Sequence, residues 1–307
     1  MSQAMRPKLC RETAQVVFNR ALPGDQYVIR LRAPGLAQGC RPGHFAQVDC
    51  GPTTTLPRPL SILDADAAAG TVDIFYKVVG RGTELMAQWQ AGAEVTLMGP
   101  VGRTFTLIDA PKRAVLIGGG VGAAPVDFLA RTLAGRGVEC TLFLGMESES
   151  PFVLEQAKQP LPGVERSIIL ALAPLQGAGV RSRMAALTPR QGWFTGYVTD
   201  LAAAYLAALT DQQREETVLY TCGPTPMMAA ANRVAKRFAL SGQASMEEHM
   251  ACGFGGCAGC VAPIRVGGAL GWNYRRVCVD GPVFDLDEIA WEQMGYAPAP
   301  VQACGCP

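Results

Sequence analysis

The sequence predicts an α/β plus β fold: an N-terminal antiparallel β-barrel, a Rossmann-like parallel α/β domain and a small C-terminal domain organised by cysteines. Three observations carry this. Residues 1–102 break into short apolar or alternating runs separated by Gly and Pro. Residues 103–238 alternate apolar runs with helix-like segments. From 239 to 307 periodicity fades while Gly and Cys concentrate. These are the signatures of a small β-structure, of a parallel sheet covered by helices, and of a domain held by bound ligands.

In the first region the candidate strands are Gln15–Phe18, Gln26–Leu31, His44–Val48, Thr71–Val79 and Glu94–Met98. Turn signals fall between them at Leu22-Pro23-Gly24, Arg41-Pro42-Gly43 and Gly51-Pro52. Pro and Gly there fix the dihedrals that tight turns need. In the second region Ala114–Ile117 reads as a strand, Gly118–Gly122 as a turn, and Pro125–Leu133 as a helix. Strands are expected at Cys140–Leu144, Arg166–Leu172 and Val218–Thr221, with helices from Val198 and over Met227–Phe238.

Bulk composition excludes several classes. The chain has 307 residues, 49% of them hydrophobic and 17% charged, and a net charge of +1. No basic block marks a nucleic-acid or anionic-membrane partner. Met1–Val16 lacks the apolar core of a signal peptide. No apolar stretch reaches the roughly 18 residues of a spanning helix. A cytoplasmic protein is expected. Eleven cysteines, an odd number in such a chain, argue against a disulfide framework.

Cys252-Gly253-Phe254-Gly255-Gly256-Cys257-Ala258-Gly259-Cys260 has the spacing C-x4-C-x2-C, and Cys278 follows a hairpin-like stretch. This is the plant-type [2Fe–2S] spacing, in which four thiolates hold two irons. Glycines at 253, 255, 256 and 259 let the loop wrap tightly and turn its N–H groups toward sulfur. Two other readings compete. Structural zinc usually takes two separate C-x2-C pairs, and buried packing cysteines rarely crowd between glycines. Cys304 and Cys306 read as a tail outside the site.

Ala114–Pro125 runs from an apolar strand through Gly118, Gly119, Gly120 and Gly122 into a helix. Such a turn lets backbone approach a pyrophosphate at a helix N-terminus. Glu147 and Glu149 follow the next strand, where a ribose 2′-hydroxyl contact favours NAD over NADP; an exposed loop is the alternative. Cys222, in Tyr220-Thr221-Cys222-Gly223-Pro224, ends a strand where open α/β sheets bind ligands, although a buried structural cysteine fits equally. Upstream, Arg58-Pro59-Leu60-Ser61 offers a cation and a hydroxyl beside an apolar strand. Tyr76-Lys77-Val78 leads into Gly80-Arg81-Gly82-Thr83, whose N–H groups could hold a phosphate. Arg58 and Arg81 could instead be solvated charges.

In this order the motifs resemble the ferredoxin-reductase superfamily: an R-x-x-S flavin barrel, a G-G-G-x-G-x-x-P nucleotide loop and a C-G-P turn. The resemblance implies that Arg58 and Ser61 contact FAD, with Pro59, Leu60, Tyr76, Lys77 and Val78 beside it, and that Gly82 and Thr83 bind its pyrophosphate. It implies that Gly118, Gly120, Gly122 and Glu147 serve NAD, and that Cys222 lies near the flavin–nicotinamide contact. Leu60 stands where relatives often carry an aromatic.

Met246–Gly253 and Arg276–Phe284 further resemble the electron-transfer subunits of dihydroorotate dehydrogenase B. That family implies an FMN-containing catalytic partner that oxidises dihydroorotate, a heterotetramer, and electron flow through [2Fe–2S] and FAD to NAD in pyrimidine biosynthesis. The metal ligands would be Cys252, Cys257, Cys260 and Cys278. The alternatives are a ferredoxin- or sulfide-type reductase subunit, or a regulatory iron–sulfur module without turnover. Of the two histidines, His44 reads as a strand residue and His249 as support for the cluster loop.

Overall fold

The computed structural model describes residues 8–106, 112–147, 150, 152–267 and 271–296. Glu149, Cys304 and Cys306 lie outside the described residues.

The N-terminal strands are β1 (Cys10–Leu22), β2 (Gln26–Arg32), β3 (Phe45–Val48), β4 (Arg58–Asp66), β5 (Thr71–Lys77) and β6 (Glu94–Val101). They close into a barrel in the order β1-β2-β5-β4-β3-β6, every neighbouring pair antiparallel. Alternate side chains face the same side of a strand, and Ile29, Leu31, Ile62, Val72, Ile74 and Leu97 fill the interior. Helices α1 (Pro34–Gly39) and α2 (Arg81–Ala87) occupy two of the connections. β4 is absent from the expected strands because Pro57 and Pro59 read as breakers. Pro59 sits at the second position of β4, where its missing donor costs one rung of a nine-residue strand. His44 precedes β3 rather than lying in it.

The middle region begins with β7 (Arg113–Gly119), α3 (Ala123–Ala134) and β8 (Glu139–Gly145). β9 (Leu154–Gln156) and β10 (Leu170–Leu172) form a separate antiparallel pair, followed by α4 (Ala173–Gly177). Then come β11 (Arg181–Ala186), β12 (Phe194–Thr195), α5 (Val198–Ala207), α6 (Asp211–Glu215), β13 (Thr217–Cys222) and α7 (Thr225–Arg237). The strand expected at Arg166–Leu172 is thus confined to its last three residues and lies outside the main sheet. Its place is taken by β11. Arg181, Ser182 and Arg183 disguise that strand as polar, yet Arg183 is buried and donates to the carbonyls of Ile168, Ser182 and Gln159 at 3.0, 2.7 and 2.5 Å.

β14 (Gly242–Ser245), β15 (Val261–Arg265), β16 (Trp272–Arg276) and β17 (Val283–Asp285) complete the chain. The main sheet has the order β12-β11-β8-β7-β13-β14-β17, parallel except for β17. β14 and β17 therefore extend the α/β sheet from beyond residue 238, and the hairpin β15–β16 stands apart.

Barrel and sheet are clamped together at Arg131 of α3. Its guanidinium bonds Asp127 Oδ1 at 2.7 Å on its own helix, and Asp64 Oδ2 and the Leu63 carbonyl of β4 at 2.7 and 2.8 Å.

Two buried groups give stability opposite pH slopes. Burial pushes Asp127 up to about 6 from 3.8, against the pull of Arg131. Burial, with the charge of Arg41, pushes His44 down to about 4 from 6.5. The contribution of Asp127 is full below about 3.8 and fades as pH rises through about 6. That of His44 is full above about 6.5 and is lost as pH falls toward 4. Asp127→Asn should steepen the acid-side loss of stability, and His44→Gln should flatten it by on the order of 3 kcal/mol. Denaturant titrations across this pH range check both signs.

Candidate functional site

In the main sheet β8, β11 and β12 lie on one side of β7, and β13 and β14 on the other. The strand order reverses between β7 and β13, and open α/β sheets bind ligands at the carboxyl ends of the strands at such a point. Both predicted turns stand there. Gly120–Gly122 is a single 3-10 turn between β7 and α3. Gly120 has φ +54°, and nothing lies within 4 Å of where its side chain would begin. Gly122 is the opposite case: a Cβ would sit 2.4 Å from the Cys222 carbonyl oxygen. Gly118 makes room for Val126 and Leu144, so it packs helix on strand rather than opening a ligand surface.

Cys222 ends β13 beside Gly118 of β7 and Ser245 of β14. Burial pushes its thiol well above the usual range, with Glu247 adding and a hydrogen bond with Ser245 opposing. This direction favours the protonated thiol at neutral pH. Glu147 is exposed two residues past β8, and its carbonyl accepts from Arg190 Nη2 at 3.5 Å.

On the barrel, Arg58 opens β4 and Gly82 and Thr83 lie in the first turn of α2. The motifs meet, because a Cβ on Gly82 would fall 2.5 Å from Arg58 Nε. Arg58 donates to the Leu56 carbonyl at 2.6 Å, and no carboxylate pairs with it among the described residues. A half-buried, uncompensated guanidinium beside a bare glycine suits a phosphate. The Thr83 hydroxyl is occupied within its own turn: it donates to the Gly80 carbonyl and accepts from Val79 N–H at 3.0 Å. Pro59 and Ser61 pair with Gln47 and Phe45 of β3 and share their outward face. Leu60 packs toward the barrel core instead. Tyr76 is 1% exposed, stacks on Tyr27 and donates to Asn19 Oδ1 at 3.2 Å. Its side chain has no area to offer a cofactor, so any role of position 76 runs through its main chain. Lys77 is exposed and Val78 partly so at the end of the same strand.

Cys252, Cys257, Cys260 and Cys278 are free thiols that gather in two pairs. Cys252 Sγ accepts from the Cys257 N–H at 3.4 Å, and the Cys257 thiol lies within hydrogen-bonding reach of it. Cys260 and Cys278 are both buried and neighbour each other. Burial opposes ionisation of Cys252, but the N–H groups of Cys257, Phe254 and Gly256 outweigh it and draw the thiol down to about 6. Burial and the neighbouring Cys260 push Cys278 up to about 12. Among the described residues no group of three or more His, Cys, Asp or Glu side chains is arranged for a single ion. Two thiol pairs within an N–H-lined loop match a cluster whose two irons share four thiolates. Arg276 Nη1 donates to the Gly255 carbonyl at 3.0 Å and ties this loop to the β15–β16 hairpin. His249 is exposed beside Glu247 and Glu248.

The regions adjoin in order. The Gly120–Gly122 turn runs beside β5, Arg58–Ser61 lies on β4, and the cluster loop seats on β3, where Gly253 meets Gln47. β5, β4 and β3 are consecutive in the barrel. At ~4.8 Å per strand spacing, the outer two stand roughly 10 Å apart. Gln47 and Arg276 are the residues that sequence reasoning missed. Gln47 carries no local motif, and Arg276 was quoted only as a neighbour of Cys278.

Fold and site define an oxidoreductase of the ferredoxin-reductase-like, NAD-binding class. Residues 116–233 match the oxidoreductase NAD-binding domain. The chain aligns with the solved structure titled as an NADH-dependent reduced ferredoxin-NADP oxidoreductase at a TM-score of 0.74 and 22% identity, covering 95% of this chain and 92% of that one. A ferredoxin reductase of carbazole 1,9a-dioxygenase shares the fold at a TM-score of 0.58 and 22% identity, over 76% of this chain and 67% of that one. Residues 247–290 match the iron–sulfur cluster binding domain of dihydroorotate dehydrogenase B. The electron transfer subunit of dihydroorotate dehydrogenase B (NAD(+)) from Shouchella clausii is 33% identical over 290 residues, 93% of this chain and 99% of its own. That from Desulforamulus reducens is 30% identical, over 91% of this chain and 98% of its own. The chain belongs to the family of dihydroorotate dehydrogenase B electron transfer subunits.

Proposed function

We propose that this chain carries electrons from a catalytic dihydroorotate dehydrogenase partner to NAD⁺ in pyrimidine biosynthesis, using [2Fe–2S] and FAD. The observation that supports it most is the succession along β5, β4 and β3 of nucleotide turn, flavin motif and cluster loop. The flavin, when bound, exchanges hydride with nicotinamide and single electrons with the cluster.

The chain's own residues bind and hold. Arg58 offers its free guanidinium to a flavin phosphate, Ser61 its hydroxyl from the outward face of β4, and Gly82 the space between them. Gly120 leaves the backbone open to a pyrophosphate, and Gly122 keeps the turn against Cys222. The buried Cys222 lies at the carboxyl end of β13 beside the nucleotide turn. Glu147 repels a 2′-phosphate and accepts from a 2′-hydroxyl. Cys252, Cys257, Cys260 and Cys278 would hold the cluster, which would supply one-electron transfer.

The partner is expected to carry FMN, the assembly to be a heterotetramer, and the complex to be cytoplasmic. Among the described residues no helix is long and apolar enough to cross a membrane. The test is chemical analysis and absorption spectroscopy of the purified chain. About two irons, two sulfides and one FAD per chain are expected, with flavin bleached faster by NADH than by NADPH. Zinc without iron would sink the cluster assignment, and a preference for NADPH would remove the role given to Glu147. Dihydroorotate-dependent NAD⁺ reduction on adding the catalytic subunit separates this reading from a ferredoxin- or sulfide-type reductase.

A further inference from the structure

β3 alternates. Ala46 and Val48 point into the barrel core, while Phe45 and Gln47 point outward. Phe45 packs in the same buried cluster as Cys260, Cys278 and Val279. Gln47 is 2% exposed. It stands directly across from Pro59 of β4 and against the cluster loop, where a Cβ on Gly253 would fall 2.1 Å from its Nε2. Gly253 has φ +74°, so both its backbone and the space in front of it exclude any other residue.

The Gln47 amide is poorly satisfied for so buried a group. Among the described residues its one hydrogen bond is a weak one from Nε2 to Met250 Sδ at 4.0 Å, and Oε1 has no partner. Turning the amide over would exchange the orphaned atom, not remove it. A buried amide left in this state costs about 1–3 kcal/mol, a cost that an apolar side chain would not carry. The position is therefore poor for stability and central for geometry, a buried polar side chain between flavin strand and cluster loop.

We propose that Gln47 is a positioning residue for electron transfer between the flavin and the cluster. It holds the loop at Gly253, next to ligand Cys252, at a fixed offset from β4. The inference rests on the reading above. In the flow proposed above one electron passes from reduced cluster to oxidised flavin; NADH drives the same step in reverse, one electron from reduced flavin to oxidised cluster, with no bond made or broken.

The experiment is stopped-flow reduction of Gln47→Leu by NADH, with iron and flavin content and the electron paramagnetic resonance spectrum of the reduced cluster. Expected are wild-type iron and flavin, wild-type flavin bleaching, a changed resonance line shape, and cluster reduction slowed about tenfold or more. Gln47→Asn keeps the amide but withdraws it by one methylene; it should show the same line-shape change with a smaller slowing. If Gln47→Leu fails to hold iron, the asparagine variant carries the test. Wild-type line shape and cluster reduction in an iron-replete variant overturn the proposal. Absence of iron or flavin from the wild-type chain overturns instead the function on which it rests.

Discussion

Cys257→Ser loses its iron and sulfide but keeps its flavin and its NADH-to-dye activity. Cys257 is the exposed member of the four, and its sulfur accepts from the Gly259 N–H at 3.4 Å. A serine hydroxyl there keeps the shape and withdraws the thiolate. Substitution at an exposed position away from the core changes stability by about 0.5 kcal/mol or less, so the fold should survive and the loss reads as loss of ligation. Arg58, Gly82, Gly120 and Gly122 lie on other elements and are untouched. Iron analysis and visible absorption check the first half, dye reduction by NADH the second. If flavin leaves together with iron, the barrel and cluster loop bind their cofactors as one unit, and the separation of roles proposed for β4 and the loop is wrong.

Gly122→Val should have the second large effect, on the opposite end. Its side chain would begin 2.4 Å from the Cys222 carbonyl oxygen and 2.6 Å from Gly223 Cα. These are backbone atoms of a buried strand end and cannot rotate away, so the two turns must separate. A displacement near 1 Å at a reacting centre costs about 100-fold. Flavin bleaching by NADH should fall by that order while iron and flavin content stay at wild-type levels. Gly137→Ala, in the turn after α3 and outside both nucleotide turns, is the control: it meets open space and only strains a positive φ, so it should cost about 1 kcal/mol of stability and leave the NADH rate alone. Equal NADH rates in Gly122→Val and wild type would show that the two turns do not frame the nicotinamide site.

The cysteine loop and the glycine turns were legible because their chemistry is local. Three thiols between four glycines, or an apolar run ending in Gly118–Gly122, carry their meaning in spacing alone. β11 was not legible, because Arg183 is polar in sequence and buried in fact, its charge solvated by carbonyls that lie 15 and 24 residues away. β14 is only four residues long and is a strand because β13 and β17 flank it. Gln47 has no motif, since what marks it is Gly253, about 200 residues further on. At Tyr76 motif and side chain part: the family resemblance sets the residue beside the flavin, while alternation along β5 turns its side chain into the core.

The way β14 and β17 finish the sheet bears on how such a chain can be recombined. The cysteine-bearing stretch is not a cassette that could be cut at residue 238 and spliced elsewhere. Removing it would bare the edge of β13 along Leu219–Cys222, an apolar strand whose N–H and C=O groups would seek another chain. Transplanting it would require Gly242–Ser245 and Val283–Asp285 to find a new parallel edge in the recipient. An engineered exchange of the cluster loop should therefore move the span from β13 to β17 as one piece.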